Sequence, residues 1–349
     1  MGPGVVALQR GPQHGEEAAG RDRSPGQRGG EPGLQLLADR TEYCGQEFVT
    51  RAEVVQEHPI AGPQRRGQGP QRQRGHALGP VRVRQTTASG GPAVLAVHGL
   101  LLDGRLWDGV VGALAPDVRV VVPDLPLGAQ RQAVPDRSVL TPEHVAGALL
   151  DVLDGVGADR AVLLGNDTGG ALAQLAAAAA PERVAGLVMA GCDAFEHFPP
   201  PLLRPLVLGA RVPGVMAAAL RVFAVPRLLA EPGALNVLTG RGFGRPLVAD
   251  LLRPARTDPA VRADLAAFTA AVGPGPLLAA VDELGRLGVP SAVVWGRRDR
   301  LFPPRDAERL ARLLGTDVTW LDDALTFVPW DRPDAVAEAV RTVVGAAVP

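Results

Sequence analysis

From Val81 onward the chain alternates between two kinds of segment. Short, nearly continuous apolar runs occur at Ala93–His98, Val118–Asp124, Ala161–Leu164, Gly186–Ala190, Ser291–Trp295 and Asp317–Leu321. Runs of this length read as strands buried on both faces, the pattern of a parallel sheet. Between them lie segments with apolar positions at helical spacing. Thr141 followed by Pro142 supplies an N-cap and a proline at the first helical position, with Val145, Leu149, Val152 and Leu153 following on one face. Pro303–Leu314 and Pro333–Val344 read the same way. Strand–helix alternation predicts an α/β fold built on a doubly wound, mostly parallel sheet.

Two stretches depart from this rhythm. Residues 1–80 are dominated by Gly, Pro, Gln, Arg and Glu, as in Gly62–Pro70. Such a segment has too few apolar side chains to offset the entropy of ordering it and is expected to be disordered. A solvated extension and a start assigned too far upstream are the leading readings of it, with an arginine-rich interaction tail as the third. One α/β domain is expected over 81–349. Between Gly191 and about Leu284 no strand pattern occurs, and helical pieces are broken by Pro199, Pro200, Pro201, Pro213, Pro226 and Pro254. An inserted helical subdomain at about 195–284 fits this gap.

Composition narrows the function classes. A chain of 349 residues with 46% hydrophobic content can build a large core, and a net charge of -1 gives no electrostatic reason to expect a nucleic-acid partner. Every basic residue is Arg and Ile60 is the only isoleucine, a bias of genome base composition, so arginine by itself carries no functional signal. Cys44 and Cys192 make no disulfide framework, which suits a reducing cytoplasm. No apolar run approaches the roughly 18 residues of a membrane span, and no charged start followed by an apolar stretch marks a secretory leader. A cytoplasmic protein without a membrane partner is expected. No His, Asp or Glu cluster has metal-ligand spacing, so no metal or other cofactor is expected. Oligomeric state is not set by these features.

The most informative stretch is Gly165–Gly170, which reads Gly-Asn-Asp-Thr-Gly-Gly, follows an apolar strand and opens an apolar helix. Small residues on both sides of position 167 suit a strand–helix turn so sharp that larger side chains would collide. Such a turn lifts Asp167 above the sheet and leaves the N–H of Thr168 free to stabilise an anion. Without context, a glycine-rich turn with an incidental aspartate reads almost as well. The dinucleotide-binding pattern of spaced glycines is not what is written here.

Context comes from both sides. The first strong strand ends in His98-Gly99, and a loop follows through Trp107 before a helix. This combination resembles the α/β-hydrolase superfamily over about residues 81–346, including Pro123-Asp124 after the second strand. On that resemblance the insertion is a helical cap over a substrate pocket. Asp167 stands at the nucleophile elbow, and the N–H groups of Leu100 and Thr168 form an oxyanion hole, with His98 structural. Trp295–Pro303 resembles the superfamily's acid motif, with Asp299 just past a strand. Asp193, after another strand end, competes for that role. The catalytic histidine should follow the last strand in a His-Phe-x-x-x-acid-x-Pro frame. Here the frame runs from Thr326 through Asp331 to Pro333, with Thr326 where the histidine belongs, and no histidine occurs after His197.

An aspartate nucleophile resembles the haloalkane dehalogenase and epoxide hydrolase branch. There a carboxylate attacks carbon, forming an alkyl-enzyme ester that histidine-activated water then hydrolyses. Thr326 cannot act as that base, because a hydroxyl does not usefully accept a proton near neutral pH. Further departures concern the substrate. Haloalkane dehalogenases carry Trp directly after the nucleophile, where Thr168 stands. Epoxide hydrolases use cap tyrosines, whereas Tyr43 is the only tyrosine. His197 and Asp193 are the candidate substitute bases; Asp322 and Asp323 read rather as a solvated turn. Two functions stay open. One is a hydrolase acting through Asp167 on a small apolar ester, epoxide or haloalkane. The other is a non-catalytic relative that keeps the fold and pocket to bind a ligand or partner.

Overall fold

Each of the apolar runs forms a strand, and together they build one sheet. A computed structural model describes residues 78–88, 91–223 and 234–348, together with the backbone of strands at 42–43, 46–47 and 54–59. The sheet has eight strands: β1 (Val54–Pro59), β2 (Pro80–Gln85), β3 (Ala93–Val97), β4 (Val120–Asp124), β5 (Ala161–Asp167), β6 (Val184–Cys192), β7 (Ser291–Gly296) and β8 (Val318–Leu321). Their order is β8-β7-β6-β5-β3-β4-β2-β1. The pairs β1–β2 and β2–β4 are antiparallel, and every other neighbouring pair is parallel. Glu42–Tyr43 and Gln46–Glu47 form a separate two-stranded ladder. Within the segment expected to be disordered, Val54–Pro59 is an edge strand and residues 78–80 lead into β2, while the remainder, that ladder apart, lies outside the described residues.

Strand side chains alternate between two apolar cores, one on each face. Leu95 and Val97 of β3 and Leu163 of β5 face one core, shared with α2 (Pro142–Gly155), α3 (Thr168–Ala179), α8 (Gly275–Arg286) and α9 (Pro304–Leu314). Val94 and Ala96 of β3 with Val162 and Leu164 of β5 face the other, against α1 (Asp108–Leu114) and α10 (Pro333–Ala347). Burial on both faces explains why the strand runs are continuously apolar rather than alternating. Removing one such side chain, as in Leu163→Ala, costs about 2–5 kcal/mol. Helix ends follow local chemistry: Thr141 Oγ1 accepts the N–H of His144 to cap α2, and α9 stops at Gly315 in the left-handed conformation.

Between β6 and β7 the chain forms α4 (Arg204–Gly209), α5 (Val215–Phe223), α6 (Arg245–Thr257) and α7 (Pro259–Ala271), and then α8, which packs on α3. Polar ties fix α6 and α7 over the loops that leave the strands. Asp264 of α7 is fully buried and accepts from the backbone of Val134 and from Arg137 Nε, each at 2.8 Å. Asp250 of α6 accepts from Arg105 Nη1 at 2.7 Å. Leu265 of α7 lies against the Gly128 turn beside Leu101. No single described helix is long and apolar enough to cross a membrane; α7 and α8 pass that test only as a pair bent by 66°.

Candidate active site

Strand β5 runs directly into α3 with no loop between them, so the last strand residue, Asp167, takes the turn itself. Its φ of 55° and ψ of −135° are a conformation that L side chains avoid, at a cost of about 1–3 kcal/mol. The approach of strand and helix is close enough that a Cβ on Gly165 would lie 2.5 Å from Cα of Gly170. Only glycine fits there. The turn leaves the Asp167 side chain at the N-terminus of α3, where helix N–H groups favour negative charge.

The His98-Gly99 loop closes on the same carboxylate. Leu100 donates its N–H to Asp167 Oδ2 at 3.1 Å, and the nearby Thr168 N–H favours the charged carboxylate as well. A Cβ on Gly99 would lie 2.0 Å from Oδ2, so this contact requires glycine. His98 is fully buried and spent on the loop: Nδ1 donates to the Gly99 carbonyl and Nε2 accepts the Leu125 N–H, both at 2.9 Å. Burial holds its pKa down, so the ring is neutral.

Burial pushes Asp167 up to about 7; the two N–H donors oppose that shift and the charge of Asp299 adds to it. Asp299 follows β7. Its Oδ1 accepts from Thr326 Oγ1 at 2.6 Å, Leu301 N at 2.8 Å and Phe302 N at 3.0 Å. Its Oδ2 is buried without a hydrogen-bond partner. Burial raises Asp299 to about 6 despite those three donors. Thr326 is fully buried, and its hydroxyl is turned to the acid. Asn166, inside the elbow, places Nδ2 between the carbonyls of Ala190, Gly191 and Thr326 at 2.5, 2.9 and 2.8 Å. It ties the elbow to the Thr326 loop, a role that its small size in the motif did not reveal. Asp331 holds the same loop from the other side, accepting the N–H of Leu325 at 2.9 Å and the Thr239 hydroxyl at 2.5 Å.

Asp193 is brought to the elbow too. Its N–H donates to the Asp167 carbonyl at 3.3 Å, and Thr168 Oγ1 donates to its Oδ2 at 3.3 Å. Burial foremost, and then the charge of Asp167, raise its carboxyl well above the ordinary range. For His197 the structure corrects the sequence reading. Nδ1 lies 2.6 Å from Asp306 Oδ2 and Nε2 lies 3.0 Å from Arg305 Nη2. An arginine only donates, so Nε2 accepts and Nδ1 carries the proton to Asp306. With both nitrogens engaged, His197 has no lone pair for a water. Its partners stand more than a hundred residues away, and no local signal pointed to them. Of the histidines whose side chains are described, His144 remains, exposed on α2 beside Thr141. Asp322 and Asp323 are exposed and pair with Arg297 and Arg332.

Among the described residues, no group of three or more His, Cys, Asp or Glu is arranged to hold a metal ion. The site is thus a buried carboxylate on a strained turn, flanked by two further carboxyls and faced by two backbone donors. Such a group can attack carbon, or take a proton from water, once it is ionised.

Comparison with known proteins agrees with the topology. Residues 92–333 match the family described as alpha/beta hydrolase fold. The pimeloyl-[acyl-carrier protein] methyl ester esterase of Methylococcus capsulatus is 30% identical over 251 residues, 70% of this chain and 91% of the esterase. An epoxide hydrolase of Caballeronia sordidicola is 34% identical over 104 residues, 30% of this chain and only 32% of that protein. The crystal structure of haloalkane dehalogenase DbeA from Bradyrhizobium elkani superposes with a TM-score of 0.66 at 21% identity, covering 84% of this chain and 98% of that one. At that identity the last likeness speaks for the fold alone. Enzyme relatives of this kind support a hydrolase. The order β8-β7-β6-β5-β3-β4-β2-β1, the Asp167 elbow and the match over residues 92–333 lead to one assignment: the chain belongs to the alpha/beta hydrolase fold family.

Proposed function

We propose that this protein is a hydrolase in which Asp167 attacks a small apolar substrate of the haloalkane, epoxide or ester type. The observation that carries the reading is the Asp167 carboxylate on its strained turn, with Oδ2 held by the Leu100 N–H. Holding Oδ2 there leaves the other oxygen to attack carbon. Once an ester has formed, the Leu100 and Thr168 N–H groups face the oxygen that becomes an oxyanion when water adds, which is where preorganised dipoles lower a barrier most. The backbone strain at Asp167 suits a group held for chemistry rather than for packing. The similarity to an esterase and an epoxide hydrolase is consistent with chemistry at an elbow of this kind.

One observation favours the second reading, a relative that binds without turnover: Thr326 Oγ1 occupies the acid where a histidine would stand. Intact-protein mass and product analysis with a panel of haloalkanes, epoxides and activated esters separate the two, with Asp167→Asn as control. Product, or an adduct absent from the control, supports the hydrolase. Neither across the panel supports the binder.

A further inference from the structure

Hydrolysis of an Asp167 ester needs a base, and the histidines whose side chains are described, His98, His144 and His197, do not supply one. Asp193 Oδ1 and Asp299 Oδ2, both beside the elbow, are buried oxygens with no hydrogen-bond partner. The two differ in what holds their charge: Asp299 Oδ1 accepts three donors, whereas Asp193 accepts one long bond from the Thr168 hydroxyl and burial raises it well above the ordinary range. A buried carboxylate oxygen left without a donor is costly, and such groups in native structures call for a ligand or a function. In a site where the acid merely orients an imidazole, that oxygen would be spent on the ring; here Thr326 binds only Oδ1.

Position supports the same role. A Cβ on Gly191 would lie 3.6 Å from Asp299 Oδ2, so the oxygen faces the end of β6 across a residue with no side chain. The next residue, Cys192, is the register partner of Asp167. The charge of Asp299 is felt at Asp167, as expected of neighbouring carboxyls.

We infer that Asp299, through Oδ2, is the general base that activates the hydrolytic water, taking the proton that the superfamily's histidine would take. This rests on Asp167 being the nucleophile. Water held on Oδ2 attacks Cγ of the Asp167 ester; its proton moves to Oδ2 as the new C–O bond forms, and the oxyanion lies on the N–H groups of Leu100 and Thr168. Collapse breaks the bond from Cγ to the alkoxy oxygen, which takes the proton back from Asp299 and leaves as the alcohol. Asp299 is again a carboxylate, and Asp167 is left as the acid, which loses its proton to solvent before the next turnover.

A carboxylate with a pKa raised to about 6 by burial is a stronger base than an ordinary one and is still ionised near neutral pH. The titratable groups around it are Asp167 on β5 and Cys192 and Asp193 at the end of β6. Of the neighbouring arginines, Arg297 is turned to Asp322 and Arg300 to the Val237 carbonyl, while Arg298 is exposed.

The test is rapid-quench intact mass with n-butyl bromide and styrene oxide on wild type, Asp299→Asn and Thr326→Val, each checked for an unchanged melting profile. In Asp299→Asn the Asp167 adduct should form no more slowly than in wild type and then persist, with breakdown slowed by roughly 10²–10⁴-fold. In wild type, breakdown should rise with pH to a plateau above about 6. Thr326→Val removes a donor to the ionised acid, so it should move that rise to higher pH while breakdown continues, a shift that a structural role would not produce. Adduct breakdown in Asp299→Asn at the wild-type rate overturns the inference and leaves Asp167 as nucleophile. A pH-independent wild-type breakdown overturns it as well. No adduct in any variant and no product from wild type overturns the Asp167 reading, and this one with it.

Discussion

Replacing Asp167 by asparagine should stabilise the protein, and more at high pH than at low. Burial raises the Asp167 carboxyl from an ordinary 3.8 to about 7. Each tenfold change in proton affinity is about 1.4 kcal/mol, so at high pH ionising this group in the fold costs about 4 kcal/mol more than in the unfolded chain. The sign follows from proton counting. Between the two pKa values the native state holds the proton more tightly, so stability present at acid pH is lost as pH rises towards about 7. Of that loss, about 2.5 kcal/mol falls between about pH 5 and about pH 8. Asparagine is nearly isosteric, its carbonyl can accept the Leu100 N–H, and it has no proton to lose. It also removes the charge that raises Asp193, which adds to the effect in the same direction. Urea unfolding of both proteins at the two pH values measures it. The advantage of Asp167→Asn should grow by about 2 kcal/mol or more from the lower to the higher pH, with unchanged slopes. An advantage equal at both pH values, or a uniform loss, would refute the reasoning that the Asp167 carboxylate is held against its own desolvation.

Further outcomes follow from the same geometry. Gly99→Ala puts a methyl group 2.0 Å from Asp167 Oδ2, so adduct formation measured by intact mass should be lost while the fold is weakened by about 1–3 kcal/mol; wild-type labelling would contradict the placement of the loop. His197→Gln should leave the pH profile of turnover unchanged, because both ring nitrogens serve Asp306 and Arg305, and should cost about 1–3 kcal/mol in urea unfolding; a lost pH limb would restore His197 as the base. Thr326→His should speed hydrolysis of the Asp167 ester, given that Thr326 Oγ1 already lies 2.6 Å from the acid that would orient the ring; an unchanged rate in a folded variant would mean that the last loop does not face the ester.

The sheet was legible because its chemistry is local. Strands such as Ala161–Asp167 are apolar at consecutive positions, and burial on both faces is the ordinary reason for that. The elbow was legible for a related reason: its glycines answer a steric demand within a few residues. The long-range contacts were not. Nothing around His197 announces Asp306 and Arg305, and nothing around Asn166 announces the Thr326 carbonyl. Val54–Pro59 was also missed, because an antiparallel edge strand containing Gln56, Glu57 and His58 lacks the apolar run that marks a central one. The free oxygen of Asp299 lay beyond sequence altogether, since it depends on which of two equivalent atoms the surrounding donors reach.

Isotope transfer to Asp167 tests the central claim most directly. The protein would be turned over in heavy-oxygen water with the substrate identified by the panel and then cleaved at arginine, and the peptide between Arg160 and Arg183, in which Asp167 is the only aspartate, would be weighed. Covalent catalysis through Asp167 requires water to add at Cγ, so that peptide should carry heavy oxygen on the Asp167 carboxylate after turnover and none when substrate is withheld. Product that carries the heavy oxygen while Asp167 stays light would mean that water attacks the substrate directly, and the nucleophile assignment would be wrong.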